Sequence, residues 1–187
     1  MLGAAAIVLA AAGAVGAAPY NFNGHWVEVD YWAGSGANET ALVIDWNGTN
    51  GPYISEAHAW GYRWSGAGYV SGALAAISAA GGLNVTVGHG GGFVNDALYN
   101  DADGDNHTSA GYTGWWWAGE TSDGGQTWTG NLLGVDQEPL GQGKIEGLNM
   151  DSGAWTPDTL TIPVPEPATV ALLVLGAGAV LARRRRT

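Results

Sequence analysis

The chain reads as an α+β protein: a single mixed, tryptophan-rich β-sheet with one helix packed on it. Three observations predict this. Segments of alternating apolar and polar residues recur between glycine-rich turns, and within the body only the stretch from Val70 to Ile77 keeps convincing helical spacing. Ten tryptophans and 32 glycines in 187 residues suit strands that carry large side chains and turn often. The same strands would also allow a β-sandwich.

Leu2 to Val15 is an apolar run followed by small residues, the h-region and cleavage site of a secretory signal. No lysine or arginine precedes it. Pro19 would hinder a cut just before it, so signal peptidase is expected to cleave after Ala17, making 1–17 the signal and 18–150 the body. His25 to Trp32 alternates, with Val27, Val29 and Tyr31 on one face, and predicts a strand broken by Gly34 to Asn38. Ala41 to Trp46 predicts a second strand, ended by the turn-forming residues Asn47 to Pro52. Ala57 to Trp64 predicts a third, and His58, Trp60, Tyr62 and Trp64 then share one face.

Ser65 to Gly68 turns the chain into the helix. Val70, Leu74 and Ile77 make its apolar stripe, alanines fill it, and Gly81-Gly82 predicts a left-handed cap. Leu83 to Val87 resumes strand, Gly88 to Gly92 is a flexible turn, and a short segment runs on to Tyr99. Asn100 to Gly111 reads as a polar loop. Tyr112 to Ala118 and Thr127 to Leu133 read as the arms of a hairpin over Gly119 to Gln126, and Lys144 to Met150 as the last strand. Residues 151–163, rich in Ser, Pro, Thr and Asp, read as a linker to the C-terminal tail.

The tail is an apolar run from Ala168 to Ala182 closed by Arg183, Arg184, Arg185 and Arg186. An uncharged helix that ends in a cationic block stops in a bilayer with its arginines on the cytoplasmic side. At about 1.5 Å per residue, 168–182 would reach roughly 22 Å against a hydrocarbon core of about 30 Å, so the arginine stems must reach up to the head groups. Pro165 and Pro167 keep the preceding strip out of the helix, extended and open to a processing enzyme.

Val164-Pro165-Glu166-Pro167, the short apolar helix and the terminal arginines together resemble the PEP-CTERM sorting signal of bacterial proteins, over 164–187. The resemblance implies a substrate of an exosortase, a membrane-embedded protease or transpeptidase that cuts near the motif. It also implies transient anchoring in the inner membrane, then release to the cell surface or extracellular matrix. A glycosylphosphatidylinositol signal would end apolar rather than in arginine.

In the body, Trp60-Gly61-Tyr62-Arg63-Trp64 precedes a helix carrying Leu74 and Ile77, and Gly114-Trp115-Trp116-Trp117 comes after it. This order resembles transcobalamin-C-terminal-like domains of β-grasp type over residues 41 to 150. The resemblance implies contact with a small ligand or glycan through aromatic side chains.

Charge narrows the function classes. Sixteen of the seventeen acidic residues lie between Ala18 and Pro163 against only Arg63 and Lys144, so that stretch carries −14. A nucleic-acid binder is excluded on this ground. With no cysteine, neither a disulfide framework nor a thiolate site exists, and packing must supply the stability.

Four sets of residues compete for chemistry. Asp101, Asp103 and Asp105 alternate as calcium-loop carboxylates do, although Asn106 and Tyr112 stand where an EF-hand has glycine and glutamate. Calcium is therefore the one cofactor the sequence suggests. Trp60, Trp64, Trp115 and Trp117 are candidates for stacking on a polysaccharide, with core packing as the alternative. His89-Gly90-Gly91-Gly92 echoes a lipase oxyanion strip, but no Gly-x-Ser-x-Gly comes after it. His25, His58, His89 and His107 lack paired zinc spacing and read as surface or half-buried residues. The expectation is a non-enzymatic exported surface protein, with a carbohydrate-binding module second and a glycoside hydrolase third.

Overall fold

A computed structural model describes residues 17–46, 56–100, 106–108, 115–130, 133–151 and 160–165. The elements in order are β1 (Ala18–Phe22), β2 (His25–Val29), β3 (Trp32–Gly34), β4 (Asn38–Asp45), β5 (Ala57–Trp64), α1 (Val70–Ala80), β6 (Asn84–Gly88), β7 (Phe93–Asn100), β8 (Asn106–His107), β9 (Trp115–Thr121), β10 (Thr129–Gly130) and β11 (Ile145–Asp151). Among the described residues the protein is mostly β with one α-helix, as expected of the body. The single sheet is not: there are three, a β1-β2 hairpin, a mixed six-stranded sheet ordered β10-β9-β11-β4-β5-β3, and a three-stranded sheet ordered β6-β7-β8.

The alternation of β4 and β5 explains why the large sheet is covered on both faces. Leu42, Ile44 and Trp60 point into a core with Val70, Leu74 and Ile77 of α1 and with Leu83, Val94, Ala97 and Tyr99 from the small sheet. Ala41, Val43 and Ala59 point the other way, into a second core closed by Phe22, Val27 and Val29 of the β1-β2 hairpin. β4 is thus buried on both sides, and it sits beside β11, to which it pairs in parallel from Ile145↔Ala41 to Asn149↔Asp45. A parallel pair cannot be closed by a tight turn. The helix and the small sheet lie in the intervening chain.

The first predicted strand is split. β2 ends at Val29, and the chain then passes the sheet edge: the Asp30 N–H donates to the Ala59 carbonyl at 2.8 Å, and Gly61 N–H to the Tyr31 carbonyl at 3.0 Å. Tyr31 therefore packs with the α1 core, on the opposite side from Val27 and Val29. The crossing leaves Asp30 facing β5.

The cap on α1 also differs from expectation. Gly81 is extended, at φ −165°, and its N–H returns to the Ile77 carbonyl at 3.2 Å. The same carbonyl accepts the Tyr31 hydroxyl at 3.0 Å, which closes the helix end from outside. Burial pushes the Tyr31 phenol up to about 12, so it stays a donor at any physiological pH. Glycine is needed at position 81 for room: a Cβ there would stand 2.7 Å from Tyr31 Cζ. Gly81→Ala is expected to dislodge Tyr31 and cost about 1–3 kcal/mol, read as a lower urea midpoint.

The predicted hairpin forms between β9 and β10, but β9 runs on to Thr121, so Gly119 and Glu120, expected in the loop, pair with Gly130 and Thr129, and the second arm spans only Thr129–Gly130 among the described residues. Its loop is closed by Asp123, which accepts the Thr127 N–H at 2.9 Å and the hydroxyls of Thr127 and Thr121 at 2.5 and 2.7 Å. Those bonds, Thr127's foremost, hold the carboxyl well below the usual carboxylate range.

The linker expected over 151–163 is not free at its end. Leu160 is buried in the second core, where its methyl group and the Trp128 ring lie over Gly147, and Ile162 packs beside it. Thr161 N–H donates to Asp45 at 2.8 Å, and Pro163 accepts the Glu28 N–H at 2.8 Å. The chain is thus strapped across the hairpin face immediately before the tail. Among the described residues no helix is long and apolar enough to cross a membrane. Residues 1–16 of the expected 1–17 signal, the calcium candidates Asp101, Asp103 and Asp105, and everything from Glu166 on, including the 168–182 segment and Arg183 to Arg186, lie outside the described residues.

Candidate functional site

A cluster of titratable residues stands at the end of the large sheet where β4 stops and β5 begins. Alternation puts Glu56 and His58 on one side of the entering strand, the side of Trp60 and α1. The β7-β8 pair brings His107 over them through the Tyr99↔His107 register. The β2-β3 crossing supplies Asp30.

His58 Nδ1 lies 3.0 Å from Asp30 Oδ2, and the Tyr99 hydroxyl donates to the same oxygen at 3.0 Å. His107 Nε2 lies 4.0 Å from Glu56 Oε2. The two imidazoles meet edge to face, with centroids 4.8 Å apart. Aromatic rings wall them in: Trp46 lies 5.2 Å from His107, Tyr99 4.9 Å and Trp60 6.2 Å from His58. His107 is fully buried, whereas the Glu56 side chain is half exposed. One side of the cluster is therefore sealed and the other open to solvent. His107 corrects the expectation of surface or half-buried histidines. His89, by contrast, is exposed on a turn at φ 50°, and Gly92 of that turn accepts the Val135 N–H at 2.9 Å, a structural role for the glycine strip.

Two of the four candidate tryptophans, Trp60 and Trp64, offer no open platform. Trp60 is 0 % exposed, held edge-on by Tyr99 at 5.0 Å and Tyr31 at 6.3 Å. Trp64 is 6 % exposed, with Tyr62 stacked beside it at 5.8 Å and the Gly68 backbone against its five-membered ring. Neither presents a face for a sugar. The side chains of Trp115 and Trp117 lie outside the described residues.

A second group of titratable residues sits on β9 and β11. Glu120 and Glu146 are directly opposite in the ladder. Glu146 is 1 % exposed and its Oε2 has no hydrogen-bond partner among the described residues. Burial first, then the Glu120 charge, pushes its carboxyl up to about 8. Lys144 pairs with Glu120 and Arg63 with Glu39, the latter at 3.5 Å while its guanidinium covers Trp32 at 4.1 Å. Both cations of the body are thus committed to carboxylates, which leaves the acidic excess on the surface uncompensated.

Toward the C-terminal tail, Leu160 to Pro165 runs without helix or strand, and Val164 is 67 % exposed. Pro165 is buried, unlike the open strip expected of it. An acidic β-rich body is thus strapped to the start of a proline-led apolar tail. Residues 163–186 match the PEP-CTERM protein-sorting motif, and the chain carries this signal for sorting to the cell surface through an exosortase. No curated protein and no solved structure matches the chain.

Proposed function

We propose that the chain is an exported, non-catalytic protein of the cell surface or extracellular matrix. In this reading its tail halts in the inner membrane with Arg183 to Arg186 on the cytoplasmic side. An exosortase then cuts near Val164, Pro165, Glu166 and Pro167. The observation that carries it is the match at 163–186, beginning where the strap from Leu160 to Pro163 ends. A protease that removes the tail there would leave the folded body whole, because every strand among the described residues lies upstream.

The body would act by presence and surface rather than by turnover. Its most displaced carboxyl, Glu146, is sealed between strands instead of lining a cleft. The −14 charge between Ala18 and Pro163 keeps such a body soluble and away from anionic head groups once released. A β-grasp reading is supported by the central order β5-β4-β11-β9, in which a hairpin, a helix and a last strand returning parallel to the first share one sheet.

Intact-mass analysis of the product recovered outside its own host tests the proposal. The expected product starts at Ala18 and ends at or before the apolar segment, and removing Arg183 to Arg186 is expected to abolish that processing. A secreted chain that keeps its arginines would refute the reading.

A further inference from the structure

We propose that Glu56, His58 and His107 form a binding site for one divalent transition-metal ion of the zinc class, with Asp30 as its orienting carboxylate. Each of the three side chains offers a donor atom, and these atoms all lie within 4.8 Å of one another. The proposal goes beyond the sorting function and stands independently of it.

The donor set selects the ion. Two imidazoles and one carboxylate suit zinc, copper or nickel, whereas calcium and magnesium require a cage of oxygens. In a tetrahedral site with bonds of about 2.0–2.1 Å, neighbouring donors stand about 3.3 Å apart. His107 Nε2 and Glu56 Oε2 are 4.0 Å apart, and the half-exposed Glu56 side chain can swing to close the difference. The imidazoles, His107 fully buried and His58 partly so, are held by the two sheets and supply the fixed part of the site.

The surroundings have the form that a metal-binding histidine uses. Asp30 engages Nδ1 of His58, which orients the ring and, in the proposed site, assigns the role of metal ligand to Nε2. Tyr99 fixes Asp30 in turn from the small sheet. An ion here would tie together the β2-β3 crossing, the start of β5 and β8, elements that belong to two different sheets. Three protein ligands leave a fourth position on the side where Glu56 meets solvent, for water or for a donor from another molecule.

The test uses the full chain in detergent, without a polyhistidine tag, stripped with chelator and titrated with zinc by calorimetry and with cobalt by visible absorption. The expected result is one equivalent bound, a cobalt spectrum of tetrahedral intensity and a melting temperature raised by zinc but not by calcium. Glu56→Gln, at an exposed position that leaves the fold intact, is expected to weaken binding at least tenfold, and His58→Gln to abolish it. Asp30→Asn should weaken binding by about 10–100-fold, the range for loss of an orienting partner. Absence of zinc binding by the parent chain, or binding unchanged in both Glu56→Gln and His58→Gln, overturns the assignment.

Discussion

Glu146→Gln is expected to make the protein more stable at pH 8 and to flatten its dependence on pH. In the folded chain the Glu146 carboxyl titrates near 8 against a reference of 4.5, because burial and the facing Glu120 both disfavour its charge. Between these values the folded state holds a proton that the unfolded state has released, so stability falls as pH rises. The favourable contribution is complete below about pH 4.5 and is lost as pH passes about 8. The size of the displacement corresponds to about 5 kcal/mol across the window. Glutamine keeps the volume and removes the charge, so its urea midpoint at pH 8 should exceed that of the parent chain while the two converge near pH 5. Glu138, raised by burial and by the Glu120 charge, acts in the same direction and leaves the variant a weaker residual slope. Coincident curves for the two proteins at pH 8 would mean that Glu146 reaches solvent or a partner in solution.

The same residue shows what the sequence could and could not convey. Alternation in Lys144 to Met150 announces a strand, and period two even places Glu146 and Leu148 on one side. It does not announce that this strand lies between β4 and β9, where Glu146 must share a buried face with Glu120. Strand existence is local, and pairing is not. The helix was legible because Val70, Leu74 and Ile77 repeat at its own period, whereas its cap depended on Tyr31, which arrives from across a sheet edge. The metal-ligand set was hidden for the same reason. Only Glu56 and His58 stand at strand spacing, and a single carboxylate-x-histidine pair in an acidic chain carries little information. His107 comes from a two-residue strand inside a stretch whose composition reads as loop, and Asp30 from a crossing that the alternation of His25 to Trp32 disguises as continuous strand.

The tail was legible for the opposite reason. A sorting signal is read by other proteins along the chain, so its order of prolines, apolar run and arginines is itself the message, and no tertiary partner is needed to see it. What the sequence concealed was the strap. Ser, Pro, Thr and Asp between 151 and 163 suggest a tether with slack, yet Leu160 and Ile162 supply an apolar pair at strand spacing that docks over Gly147 and Gly125. With so little chain between the docked residues and the motif, the body and the point of cleavage are held close together.

Trp60→Ala should unfold the protein at a much lower urea concentration rather than leave a folded chain with a lost binding function. The indole is fully buried between α1 and β5, in contact with Tyr31, His58 and Tyr99. Truncating such a side chain forfeits its burial and leaves a cavity that the rigid β4-β5 ladder cannot collapse to fill, at a cost of about 3–5 kcal/mol. For a urea dependence of about 1–3 kcal/mol per molar, the midpoint should fall by roughly 2 M, and Trp60→Phe should recover part of it. The glycan-platform reading makes the contrary prediction, an unchanged midpoint with sugar affinity lost, because an exposed stacking residue carries no core. The two outcomes differ in stability alone, so an unfolding curve decides between them without the sugar being known. Because Trp60 also flanks His58, the folded fraction of the variant should bind zinc more weakly than the parent chain, a coupling between core and cluster that Trp64→Ala, at the other end of β5, should not produce.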